Sequence, residues 1–123
     1  MAAIGYLESV ILDCPDPREL ARFYANLFDG EVVQYDEDRA ELVLPQGDRP
    51  LIAFQRVKRH KEPVWNDQEV GRQLHLDIKV DDLDAGEAAV LALGARLTGR
   101  GGQTYRIYLD PAGHPFCLIN PVD

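Results

Sequence analysis

Positive charge is scarce in this chain. Against 21 Asp and Glu stand 13 Lys and Arg, a formal net charge of −8. Nucleic acids and anionic membranes are held by basic surfaces that neutralise phosphate, so this balance argues against both as partners. Long apolar runs are missing as well. None approaches the ~20 residues that span a bilayer, and the N-terminus lacks the basic stretch and apolar segment of a secretory signal. Cysteine is limited to Cys14 and Cys117, too few and too distant for a disulfide framework. Reduced thiols in the cytoplasm are the simple reading. What is present is ordinary: 123 residues, 46% hydrophobic and 28% charged. Those totals describe a soluble globular chain, one domain or two small halves sharing a core.

The most informative positive feature is internal repetition. Ser9-Val10-Ile11-Leu12-Asp13-Cys14-Pro15-Asp16-Pro17 is a short apolar strand running into a helix start. His75-Leu76-Asp77-Ile78-Lys79-Val80-Asp81-Asp82-Leu83 has the same layout 66 residues later (75 − 9). A repeat of this size shapes the expected fold before any motif is read. It pairs Ser9 with His75, and Gln55 with Cys117.

Local signals fill in each copy. Residues 5–13 read as a strand. Asp16-Pro17-Arg18-Glu19 is a helix start, with Asp16 as cap and Pro17 at the first helical position. Leu20, Phe23, Tyr24, Leu27 and Phe28 follow at helical spacing and form one apolar face. Gly30 is expected to end that helix. Strands follow at 31–36, 40–44 and 51–56, with a turn over residues 46–50. Residues 57–72 carry no period and read as a linker. In the second copy a strand at 73–80 leads to a helix capped by Asp81 or Asp82, with Leu83, Gly86, Val90 and Leu93 on its seam and Gly94 at its end. Strands follow at 95–98, 104–109 and 115–119, with Gly99-Arg100-Gly101-Gly102 as a hairpin loop.

The predicted fold class is therefore α+β. Two βαβββ units, about 5–56 and 73–120, form a single domain over 1–123. The economical assembly is a curved eight-stranded sheet with helices on its convex face and a concave cavity. Strand alternation sorts the side chains. Val10, Leu12, Ile52, Phe54, Leu76, Ile78, Phe116 and Leu118 go to the helices. Ser9, Gln55, His75, Asp77 and Cys117 go to the other face among apolar neighbours, the composition of a small-molecule pocket.

With those residues placed, the chain resembles the vicinal oxygen chelate superfamily. This group includes glyoxalase I, extradiol dioxygenases, fosfomycin-resistance proteins and bleomycin-resistance proteins. The resemblance spans essentially the whole sequence. It is carried by Asp13-Cys14-Pro15-Asp16-Pro17 with Phe23-Tyr24, by Leu74-His75-Leu76-Asp77 with Val80-Asp81-Asp82-Leu83, by Leu91-Ala92-Leu93-Gly94-Ala95, and by Asp110-Pro111-Ala112-Gly113-His114-Pro115-Phe116. It is nearest to the glyoxalase-like subgroup whose substrates are unknown. The resemblance implies a U-shaped sheet, frequent homodimers, and, in metal-dependent members, a ligand on the first and last strand of each unit.

Carried onto this chain, those ligand positions are Ser9, Gln55, His75 and Cys117. His75 keeps the expected type, Gln55 is a neutral stand-in for Glu, and Ser9 and Cys117 depart from the pattern. A Ser hydroxyl does not ionise near neutral pH, and Zn, Ni, Mn and Fe prefer imidazole, thiolate and carboxylate. The expectation is a pocket with no cofactor. If a divalent metal (Zn, Ni, Mn or Fe) binds, its ligands are His75, Gln55 and Cys117, with Asp77 or His114 as possible additions.

Each candidate has a plainer reading. His75 is either a hydrogen-bonded core histidine or the catalytic acid–base. Cys117 is either a small buried hydrophobe or a reactive thiol activated by His75. Asp77 orients the imidazole or pairs with Lys79 or Arg106, since an unpaired buried carboxylate is costly. Cys14 is structural, and His114 braces its turn. The basic residues Arg56, Lys58, Arg59, His60 and Lys61 are a solvated loop, or they attract an anionic substrate. Trp65 and Tyr105 anchor loops, or they stack on a flat ligand.

Three functions compete on this evidence. The favoured one is binding of a small organic molecule in the sheet cavity without the full metal set. The second is a metal-dependent lyase, isomerase or dioxygenase. The third is a non-catalytic dimerising module. Fold analogy licenses none of them, because function lives in the site.

Overall fold

A computed structural model describes residues 9–58 and 75–120, omitting the side chains of residues 34, 35, 48 and 49. The chain forms two compact units, Met1–His60 and Lys61–Asp123. The first contains β1 (Ser9–Cys14), α1 (Pro17–Phe28), β2 (Glu31–Asp36), β3 (Arg39–Leu44) and β4 (Gly47–Arg56). The second contains β5 (Leu76–Lys79), α2 (Leu83–Ala92), β6 (Arg96–Gly101), β7 (Tyr105–Leu109) and β8 (Pro115–Ile119). Each is βαβββ, as the repeat predicts. Trp65 and the residues Arg59, His60 and Lys61 lie outside the described residues.

The eight strands form two four-stranded sheets, ordered β1-β4-β3-β2 and β5-β8-β7-β6. In each, the first strand pairs in parallel with the last and the other pairings are antiparallel. A parallel pair cannot be joined by a tight turn. The helix and the two intervening strands provide the return path. Among the described residues no helix is long and apolar enough to cross a membrane.

In the first unit α1 begins where the Asp16 carboxylate accepts hydrogen bonds from Arg18 N (3.1 Å) and Glu19 N (3.3 Å). Two otherwise orphaned amides are thereby satisfied. Leu20, Ala21, Phe23 and Tyr24 are buried, and the helix packs on β3 and β4. Tyr24 stacks between Phe28 and Phe54, with ring centroids 6.0 and 5.8 Å away, while Phe23 meets it edge-on at 4.9 Å. Burying an aromatic side chain of this size contributes about 1.5–3 kcal/mol.

Three local expectations are corrected. The residue in the left-handed conformation after α1 is Asp29 (φ 57), not Gly30. Gly30 is needed for space instead: a Cβ there would lie 2.8 Å from Leu42 Cδ1 and from the Val43 carbonyl oxygen. The turn expected over 46–50 is only Pro45-Gln46, because β4 begins at Gly47, paired with Leu44. Pro50 is tolerated within β4 because the β3–β4 register shifts between Leu42 and Leu44, breaking the ladder beside it. Finally, β6 runs through Gly101, so Gly99 and Arg100 belong to a bulged strand and not to a hairpin loop. Thr98 Oγ1 ties that bulge down by donating to the Ile107 carbonyl at 2.7 Å.

In the second unit Asp82 is the cap of α2, accepting from Asp84 N and Ala85 N. Gly86 lets α2 approach the sheet, since a Cβ there would stand 3.1 Å from Leu118 Cδ1. The turn before β8 is braced by Asp110. Its Oδ1 accepts from Ala112 N (2.8 Å) and His114 N (3.0 Å). A short carboxylate reaches amides a few residues on, the usual side-chain route to a tight turn. Buried His114 takes part in the same turn, its carbonyl accepting from Asp110 N at 2.9 Å.

The contrast at the end of α1 gives a stability test. Gly30→Ala is expected to cost about 1–3 kcal/mol through the clash with Leu42 and Val43, whereas Asp29→Gly should be neutral or stabilising. Urea unfolding of both variants checks this.

Candidate functional site

The site builds from the parallel ladder of β5 and β8. Its register sets Leu76 opposite Phe116, Asp77 opposite Cys117, Ile78 opposite Leu118 and Lys79 opposite Ile119. Alternation sends Phe116 and Leu118, both fully buried, toward α2 with Ile78. His75, Asp77, Cys117 and Ile119 share the opposite face. Antiparallel β7 adds Ile107 beside Cys117 and Tyr105 beside Ile119. On this face Asp77, Thr104, Tyr105, Cys117 and Ile119 line an open hollow of about 270 Å³.

Polar donors converge at one side of the hollow. His75 Nε2 lies 3.6 Å from Asp77 Oδ1. Donor atoms of His75, Asp77 and Cys117 all lie within 4.8 Å of one another. The Cys117 residue is 6% exposed, while the side chains of His75 and Asp77 are 38% and 56% exposed. The sulfur is therefore recessed and the nitrogen and oxygen ligands stand at the rim. An imidazole, a carboxylate and a thiol in mutual reach are a donor set that fits a divalent cation.

Arg106, one partner considered for Asp77, is on the other face. Its NH2 donates to Asp84 Oδ1 at 2.8 Å, and its NH1 is 3.6 Å from Glu87 Oε1. The hydrogen bond that Arg106 donates to Asp84 raises the Arg106 pKa further above its usual range, against the opposing effect of desolvation. Tyr108, on the same face, donates its hydroxyl to Glu87 Oε1 at 3.0 Å. Burial first, and then that hydrogen bond, push the Tyr108 pKa from 10.0 to about 12.

In the first unit the candidates Ser9 and Gln55 do not converge. Ser9 pairs with Leu51 and Gln55 with Asp13. They stand at opposite ends of the β1–β4 ladder, roughly 13 Å apart along the strand. The register also revises the pairing read from the repeat. Asp77 follows Ile11 by 66 residues (77 − 11), the offset shared by the two caps, Asp16 and Asp82. Ile11 is opposite Ala53, as Asp77 is opposite Cys117. The counterpart of Cys117 is therefore Ala53, 64 residues earlier (117 − 53), and not Gln55.

The remaining candidates take plainer places. Cys14 is fully buried, its thiol 3.6 Å from the Gln55 carbonyl. Arg56 is held by chain oxygens: NH1 donates to Pro15 O at 2.6 Å, and Nε and NH2 donate to Glu37 O. It ties the start of α1 to the β2–β3 hairpin. Thr104, absent from the sequence candidates, joins the hollow because it immediately precedes β7. Its proximity to Tyr105 was the available signal.

The glyoxalase-like domain family matches residues 9–119. The chain belongs to that family. Its fold is that of the vicinal oxygen chelate superfamily. Among solved structures it is similar to a glyoxalase/bleomycin resistance protein/dioxygenase family enzyme from Burkholderia phytofirmans PsJN, at 16% identity over 96% of this chain and 100% of that one, with a TM-score of 0.72. It is similar, at 15% identity over 98% and 93% of the two chains and a TM-score of 0.69, to a mutant of the fosfomycin resistance protein FosX from Listeria monocytogenes complexed with Mn(II) and 1S,2S-dihydroxypropylphosphonic acid. An integron cassette protein from V. cholerae matches at 18% identity over 99% of each chain, with a TM-score of 0.64. At these identities the likeness establishes fold and not chemistry. No curated protein sequence matches the chain significantly.

The Tyr108 environment of this glyoxalase-like protein gives a pH prediction. Between pH 10.0 and about 12 the folded chain holds a proton that the unfolded chain releases. The stability so contributed is intact below pH 10.0 and lost as pH rises through about 12. Titration of tyrosinate absorbance should show Tyr108 ionising late. The Tyr108 contribution should be lost in Tyr108→Phe and move to lower pH in Glu87→Gln.

Proposed function

We propose that this glyoxalase-like protein binds a small organic molecule in the hollow on the β5–β8–β7 face. The observation that carries the reading is the composition of that hollow: Tyr105 and Ile119 as an apolar wall, a recessed Cys117, and the polar groups of Asp77 and Thr104. Small-molecule sites have this make-up, with mostly apolar lining and a few polar groups that fix orientation. Half-exposed Tyr105 offers its ring to a flat or apolar part of the ligand. His75 and Asp77, in contact with each other, supply donor and acceptor at the rim. The reading treats residues 1–123 as one functional domain.

A second reading, a metal-dependent lyase, isomerase or dioxygenase, is favoured by one further observation. His75, Asp77 and Cys117 bring nitrogen, oxygen and sulfur donors within 4.8 Å of one another at the edge of the same hollow. A divalent ion held there would stabilise negative charge on a substrate oxygen. His75 would then hold the ion and Tyr105 and Ile119 would orient the substrate beside it. The two readings share the hollow and differ in whether an ion joins it. The Mn(II) in the FosX complex lends support to the second by analogy of fold.

Thermal shift measurements test the first reading. A panel of aromatic, peptide-like and thiol-conjugate compounds should contain members that raise Tm by about 5 °C or more at saturating concentration. Tyr105→Ala should abolish the shift and leave the unliganded Tm nearly unchanged. Failure of every compound counts against binding. Metal content tests the second reading. Tag-free protein equilibrated with Zn, Ni, Mn and Fe(II) and then desalted should retain about one ion per chain, lost in His75→Ala. Equal metal in both proteins sinks it.

A further inference from the structure

We propose that His75, Asp77 and Cys117 form a site for a thiophilic divalent cation of the zinc class, with all its protein ligands in the second unit. The proposal rests on the metal-assisted reading above. To that reading it adds the identity of the ion and the roles of Asp77 and Cys117.

Backbone pairing fixes the triangle. Asp77 and Cys117 are direct register partners in the parallel β5–β8 ladder, whose strands stand about 4.8 Å apart. His75 lies two residues before Asp77, on the same face by alternation. No side chain has to cross the sheet to join the other two. The His75 Nε2 to Asp77 Oδ1 separation of 3.6 Å is already close to that of two ligands on one tetrahedral zinc ion. Two donors at about 2.1 Å from such an ion stand roughly 3.4 Å apart. The sulfur, within 4.8 Å of both, has about an ångström to close.

The chemistry of the set selects the ion. A thiolate is a soft ligand, preferred by zinc and cobalt over manganese and magnesium, while imidazole and carboxylate suit zinc as well. Cys117 as a residue is only 6% exposed, which leaves its sulfur recessed on the pocket face, where a hydrated hard ion gains little. The first unit offers nothing comparable at matching positions. Ser9 corresponds to His75 and Ala53 to Cys117, a hydroxyl and a methyl group. Three protein ligands leave one position of a tetrahedral ion for water or substrate, the arrangement of a catalytic and not a structural zinc site.

Cobalt substitution tests the assignment in the full-length chain, purified without a tag, stripped by chelator and kept reduced. Co(II) titration should saturate at one equivalent with a thiolate-to-cobalt charge-transfer band in the near ultraviolet, displaced by Zn(II). The band should disappear in Cys117→Ser and persist in Cys14→Ser. Asp77→Asn, a change at a half-exposed side chain that leaves the core intact, should weaken binding by at least about tenfold. Gln55→Ala should leave cobalt affinity unchanged. A band that survives Cys117→Ser, or cobalt affinity insensitive to Asp77→Asn, overturns the three-ligand site. Loss of affinity in Gln55→Ala overturns its confinement to the second unit. Mn(II) binding that needs His75 but not Cys117 overturns the thiophilic assignment while leaving the metal-assisted reading standing. Binding of none of these ions to the wild-type chain removes both.

Discussion

The parallel pairing of the first and last strand in each unit is the constraint from which the rest follows. Parallel neighbours require a long connection, and in both units that connection is a helix followed by two strands. The last strand becomes a central strand with its α-facing residues sealed: Phe54 in β4, Phe116 and Leu118 in β8. Its remaining residues are then committed to the other face. In the second unit those residues are Cys117 and Ile119, and the register that sets Asp77 opposite Cys117 brings these two site residues together, with His75 just before β5 and Thr104 just before β7 beside them. Site geometry and core packing are consequences of one ladder.

The two units solve the same packing problem with different materials. In the first, α1 docks through aromatic rings, with Tyr24 clamped between Phe28 and Phe54. In the second, α2 buries only Val90 fully. It makes up the deficit with close approach at Gly86 and with polar links to β7 through Asp84–Arg106 and Glu87–Tyr108. These links consume Arg106 on the helix side and leave His75 as the neighbour of Asp77.

Much of this was legible in the sequence, and the parts that were not share a cause. Helix starts are local: Asp16 and Asp82 cap through their own carboxylates, so spacing to the next amides suffices to find them. Strand faces follow from alternation alone. Register does not, because it is set by the lengths of the hairpins between strands. The second unit is two residues shorter between its helix cap and its last strand, and that slip puts Ala53 where Gln55 was expected. Alternation along β7 separates Arg106 from Asp77, because Tyr105 takes the pocket face. Gly30 shows a third kind of gap: its position after the helix is visible in sequence, but its reason, contact with Leu42 and Val43 on another strand, is tertiary.

The polar attachment of α2 means that the two halves answer to different solution variables. Contacts between apolar rings weaken on cooling and are not screened by added salt. Half-exposed ion pairs such as Arg106 with Asp84 and Glu87 are screened as ionic strength rises. Salt therefore weakens the polar share of the α2 attachment more than the ring contacts that seat α1, and cooling weakens the ring contacts more. The face that carries His75, Asp77 and Cys117 lies on the sheet whose helix is held in part by charge, so ionic strength acts on the helix behind that face.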